Sequence, residues 1–136
     1  MRDLEGFVLT RSVAASLDLL GYARTAALLA RVARVTRRAP PPVAARDRAI
    51  AVARWVEKVA ARGPLPVGCL PRALAVRAIL AREGIDTTVR IGVQRSGGAF
   101  RAHAWVEHER VPVAEAGETV AGFAPFDHDF GPATSP

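Results

Sequence analysis

The hydrophobic period of this chain changes once, at Gly84, and that change restricts its folds more than any other feature. Before Gly84 apolar residues recur at three- and four-residue spacing; after it they fall in short extended runs bounded by turn residues. Helices therefore come first and strands after. That order implies an α+β domain and argues against βαβ units, in which strands and helices alternate.

The helical half divides into three. Residues 11–37 read as helix, broken near Gly21, with Leu17, Leu20, Leu28 and Val32 as the apolar stripe and arginines on the wet side. The run "APPPV", 39–43, is a stop and a stiff linker. A second helix is expected from about Ala44 to Ala61, with Ile50, Val52, Val56 and Val59 apolar, ending at "RGPLP". The third runs from Leu70 to Glu83, with Pro71 tolerated in its first turn and Gly84 as its C-terminal cap. Beyond it, "DTTVRIGVQ", the turn "RSGG", "AFRAHAWVEHE" and "VPVAE" read as a three-stranded antiparallel meander, and the aromatics of the tail "FAPFDHDFGPATSP" are expected to tuck back onto the sheet. With 136 residues the expected organisation is one domain: a helical part over 1–62, the last helix and sheet over 63–126, and a tail over 127–136.

The net charge of +6 is carried unevenly: residues 1–62 hold twelve Arg or Lys against five Asp or Glu, residues 63–136 seven against eight. A basic half is compatible with a polyanion or an acidic partner. No aromatic residues interleave with these arginines, so they read as a solvated helical face and nucleic acid is not expected as a partner. The run "SVAASLDLLGYARTAALLARVARV" is interrupted by Asp18, Arg24 and Arg31, which excludes it as a membrane span, and no secretory signal is visible. A cytoplasmic location is expected, since one cysteine cannot build a disulfide framework.

That cysteine, Cys69, stands at or just before the third helix, where open backbone N–H groups and the helix dipole favour negative charge. Thiolates are favoured at helix N-termini and beside an imidazolium, which turns a packing residue into a nucleophile. The imidazole is expected from His103 in "RAHAWVE", a polar side chain among small and apolar neighbours. Either residue alone has an ordinary structural reading. A cysteine opening a helix and a histidine in a downstream strand together form the arrangement of cysteine peptidases.

The runs "CLPRALAVRAILAREGIDTTVRIGV" and "FRAHAWVEHERVPV" resemble the bacterial lasso-peptide biosynthesis leader peptidases, a branch of the transglutaminase-like superfamily, over about residues 65–126. The resemblance implies a transglutaminase-like, papain-like core and a cysteine peptidase that removes the leader from a ribosomally made precursor. Cys69 matches the family nucleophile and His103 its general base. It also implies a stand-alone peptidase half, with a separate leader-recognition protein and an asparagine-synthetase-like lasso cyclase as partners, and no cofactor or metal. The alternative is an inactive transglutaminase-like scaffold in which Cys69 and His103 merely pack.

The family's third residue is an acid about a dozen positions after the histidine, which falls here on Glu115, with Glu118 and Asp127 as alternatives. Register tests Glu115. A three-residue hairpin loop at 108–110 makes paired numbers sum to 218, so 103 faces 115; a two-residue loop at 109–110 makes the sum 219 and puts 115 on the other face. Glu107 shares the face of His103 but lies roughly 13 Å along the strand, too far to orient the imidazole. His108 is expected in the hairpin loop at the surface, and "DHD", 127–129, in a solvated tail rather than a metal site. Trp105 shares the face of His103 and either walls the site or packs the core. Arg72 either anchors its helix through an ion pair or touches substrate. The edge along "VPVAE" is expected to accept an extended peptide.

Overall fold

The computed structural model describes residues 3–35, 44–64, 66–114 and 120–125. Four helices, α1 (Asp3–Leu20), α2 (Tyr22–Val35), α3 (Ala45–Ala60) and α4 (Cys69–Arg82), precede the strands β1 (Thr88–Ser96), β2 (Ala99–His108), β3 (Val111–Pro112) and β4 (Ala124–Pro125). The sheet order is β3-β2-β1-β4, antiparallel throughout. The α+β order read from the change of period is the order of the fold.

Helix α4 is the centre. It touches α1, α2 and α3 on one side and β1 and β2 on the other. Ala73, Leu74, Ala75, Val76, Ile79 and Leu80 are all buried, so the helix is apolar on most of its circumference, as a central helix must be. The alanines let neighbouring elements approach closely, and each fully buried leucine supplies about 1.5–3 kcal/mol. Ala49, Val52 and Val56 of α3, Val13 of α1 and Val89, Ala104 and Val106 of the sheet complete the core. Gly84 at φ 77° ends the helix in the left-handed conformation expected of a C-terminal cap, and the Ile85 N–H closes on the Leu80 carbonyl at 2.9 Å.

Two boundaries differ from the sequence reading. Helix α1 begins at Asp3, not near residue 11. Gly6 in this added stretch is required by packing, since a Cβ on it would run into the Trp55 ring. The Trp55 indole, lying across α1, donates to the Asp3 carboxylate at 3.1 Å. The break at Gly21, φ 77°, is where it was expected. The linker 39–43 lies outside the described residues.

The third strand is the other difference. β3 spans only Val111–Pro112, because Ala114 adopts a left-handed φ of 61° and turns the chain away. Its open edge is also occupied: Arg46 at the start of α3 donates to the carbonyls of Pro112 at 2.9 Å and of Val111 and His108 at 3.4 Å. The edge expected to receive a peptide strand is therefore two residues long and capped by a guanidinium. The tail instead provides β4, which pairs Gly92 with Pro125 and Val93 with Ala124 on the far edge.

Many of the N-terminal arginines act as staples between elements. Arg48 makes a two-pronged pair with Glu83 at 2.6 and 2.7 Å, Arg62 pairs with Asp3 at 2.5 Å, and Arg11 donates to the Arg62 carbonyl at 3.0 Å. The Arg48 bond, opposed by burial, holds the Glu83 carboxyl below its ordinary value. No helix among the described residues is long and apolar enough to cross a membrane.

Candidate active site around Cys69

Cys69 is the first residue of α4, following Gly68 in extended conformation. Pro71 has no N–H and so fits a first turn in which the backbone donors lack helical acceptors. The N–H of Cys69 is one of those open donors. The thiol is half-buried and lines a cavity of about 50 Å³. Its walls are Ala53, Val56 and Glu57 of α3, Arg72, Ala73 and Val76 of α4, Ala104, Trp105 and Val106 of β2, and Val113 and Ala114 after the second hairpin. The lining is apolar except for Cys69, Glu57 and Arg72.

Glu57 and Arg72 form an ion pair at 3.0 Å across α3 and α4. The Arg72 Nε also donates to the Gly68 carbonyl at 3.3 Å, so the guanidinium is tied to the residue just before Cys69. The anchoring role read for Arg72 is present. Glu57 was not singled out in the sequence, because nothing local to α3 marks a residue whose partner lies fifteen positions away.

His103 occupies β2 opposite Gly92, one residue before the strand begins to line the cavity. Its ring lies 6.0 Å from Trp105, nearly parallel, and 5.4 Å from Phe123. Trp105 belongs to both environments: it walls the Cys69 cavity and stacks on His103. Gly92 makes room for this cluster, since a Cβ there would meet Trp105 at 2.9 Å and Phe123 at 3.0 Å. The indole N–H donates to Glu107 at 3.1 Å, and Glu107 accepts from Arg90 at 3.2 Å.

Alternation along β2 sends Ala104 and Val106 into the core against α4 and His103, Trp105 and Glu107 to the other face. No hydrogen bond joins Cys69 to His103 among the described residues. Trp105 is the residue that borders both: it contributes to the cavity lining, and its ring lies on the His103 face.

The second hairpin takes the two-residue loop. Glu107 pairs with Pro112 and His108 with Val111, a sum of 219, with Glu109 and Arg110 at φ 51° and 65° in the turn. The same register carries one bond further, from the Val113 N–H to the Val106 carbonyl at 2.9 Å, and Glu115, Glu118 and Asp127 lie outside the described residues. So does the "DHD" run; among the described residues no group of His, Cys, Asp and Glu is placed to hold a metal. The same register corrects His108. It is the last strand residue and not a loop residue, its parity points it inward, and it is only 8% exposed with Nδ1 unpartnered.

A family model described as the transglutaminase-like superfamily matches residues 10–127. The chain belongs to this superfamily. The match runs from the middle of α1 through the whole sheet, so the N-terminal helices are part of the family's unit. No curated protein and no solved structure matches the chain significantly. The superfamily includes cysteine peptidases and transglutaminases, and a cysteine opening the central helix is compatible with either chemistry.

Proposed function

We propose that this chain is a cytoplasmic cysteine peptidase that removes the leader peptide from a ribosomally synthesised lasso-peptide precursor before macrocyclisation. The observation that carries the reading is the position of Cys69: a half-buried thiol on the first residue of the central helix, beside a cavity whose Trp105 wall stacks on His103. Family membership and the quoted Cys-Leu-Pro-Arg-Ala-Leu and Ala-His-Ala-Trp-Val-Glu runs support it.

In this mechanism His103 takes the thiol proton of Cys69, the thiolate attacks the scissile carbonyl carbon, and the carbonyl electrons move to oxygen, where the Cys69 N–H donates. Collapse expels the amine of the core peptide, which takes its proton from the His103 imidazolium. Water then attacks the thioester, His103 accepts its proton, and the leader leaves as a carboxylate while sulfur is released. The acid that orients His103 is Glu115, Glu118 or Asp127. The one domain is served by partners: a separate leader-recognition protein delivers the precursor and a cyclase consumes the freed core.

A second reading, a catalytically inactive scaffold of the same fold, is favoured by one observation: β2 alternation turns His103 away from the face that packs on α4. The experiment that separates them is incubation of the parent, Cys69→Ala and His103→Ala proteins with a full-length lasso-peptide precursor, read by mass spectrometry. The peptidase reading expects cleavage by the parent, none with Cys69→Ala, and a loss of about 10²–10⁴-fold with His103→Ala. Cleavage by Cys69→Ala at the parent rate refutes it, and a parent protein that cleaves nothing and whose Cys69 resists alkylation favours the scaffold.

A further inference from the structure

We propose that the Glu57–Arg72 ion pair is the selectivity element of the Cys69 cavity: Arg72 donates to a backbone carbonyl of the bound peptide, and Glu57 turns acidic side chains away. This deepens the reading of Cys69 as a nucleophile and rests on it.

A guanidinium has five N–H donors, and Arg72 engages Gly68 through Nε and Glu57 through Nη1. Three donors remain on a side chain that lines the same cavity as the thiol. The Arg72 side chain is about one-third exposed, so these donors need no large motion to meet a ligand. Glu57 decides which ligand. An unpaired arginine beside a nucleophile selects carboxylates, with which it forms two-pronged pairs. Here one carboxylate already occupies that position, and a second would meet its charge. A neutral acceptor, the peptide carbonyl, meets no such penalty. Because the remaining walls are apolar and the cavity is about 50 Å³, room for roughly three or four water-sized groups, the side chain beside that carbonyl is small and uncharged.

Two near-isosteric reagents that differ in charge test this without a precursor. Iodoacetamide and iodoacetate each transfer their methylene carbon to the Cys69 sulfur and release iodide with the bonding electron pair. Rates are referenced to those of a small free thiol. With Glu57→Gln, which leaves Arg72 unopposed, the iodoacetate rate rises about threefold and the iodoacetamide rate stays near the parent, as expected for one unit charge a few ångströms beyond contact in a largely aqueous setting. With Arg72→Gln the iodoacetate rate falls about threefold, and the iodoacetamide rate falls less. The double variant returns the ratio to the parent value. Thermal midpoints of the three variants check folding, and the ratio, unlike the absolute rates, cancels any general change in the reactivity of the thiol. An unchanged ratio in both single variants, with Cys69 still reactive, overturns the proposal and leaves the peptidase reading standing. A Cys69 that neither reagent modifies overturns both.

Discussion

Gly92→Ala tests the packing behind His103. Gly92 has no positive φ, so its backbone is one that alanine adopts freely. If the space above it were open, alanine would stabilise the strand by about 0.5–1 kcal/mol by removing the entropy of an interior glycine. The structure requires the opposite. The new Cβ would lie 2.9 Å from Cη2 and 3.0 Å from Cζ3 of Trp105, and 3.0 Å from Cβ of Phe123. Neither neighbour yields easily: the indole is 4% exposed and tied by its N–H to Glu107, and Cβ of Phe123 moves only with its backbone. Overpacking of this kind costs about 1–3 kcal/mol, so the net effect is a loss of about 1 kcal/mol. For a chain of this length that is a fall of about 4 °C in the thermal midpoint, against a rise of about 3 °C if the space were open. Circular dichroism melting reads the sign, and the near-ultraviolet spectrum reads the tryptophan environment. Removing the clash atoms sharpens the test: in a Trp105→Leu background, which lacks Cη2 and Cζ3, the same substitution should lose a substantial part of its penalty, a coupling of about 1 kcal/mol. A midpoint that rises by 2 °C or more refutes the placement of Trp105 and Phe123 over Gly92, and with it the support assigned to His103.

The Arg48 pair holds the Glu83 carboxyl below its ordinary value of 4.5, so its stabilising contribution is present above that pH and is lost as pH falls through the lower folded value. Melting measured from pH 7 down to pH 3 should therefore show a shallower acid decline for Glu83→Gln than for the parent, and parallel curves would remove this pair from the acid response. His108→Phe deletes a buried, unpartnered Nδ1 and keeps the inward-facing ring, so urea denaturation should show stability unchanged or raised. A loss above about 1 kcal/mol would mean that the imidazole is satisfied in solution by a partner such as bound water.

Local chemistry already contained much of this protein. The switch of period at Gly84, the break at Gly21, the proline-tolerant first turn that begins at Cys69 and the hairpin at Gly97 and Gly98 all depend on residues within a few positions of one another, so they are legible in order along the chain. The same holds for Trp105 sharing a face with His103, which follows from strand alternation alone. What required the tertiary structure depends on residues far apart. Gly6 sits inside a helix because Trp55, forty-nine positions later, lies against it. The turn at Glu109 and Arg110 has no glycine to announce two residues instead of three, so the register that buries His108 appears only when β3 is seen paired to β2. The edge that the sequence offers to a peptide is capped by Arg46, sixty-six positions before the Pro112 carbonyl it holds. Glu57 reaches the Cys69 cavity only because α3 and α4 pack side by side. Sequence determines the conformations whose energies are local; which side chains from distant segments meet is decided by the packing of the central helix against its neighbours, a property of the whole fold.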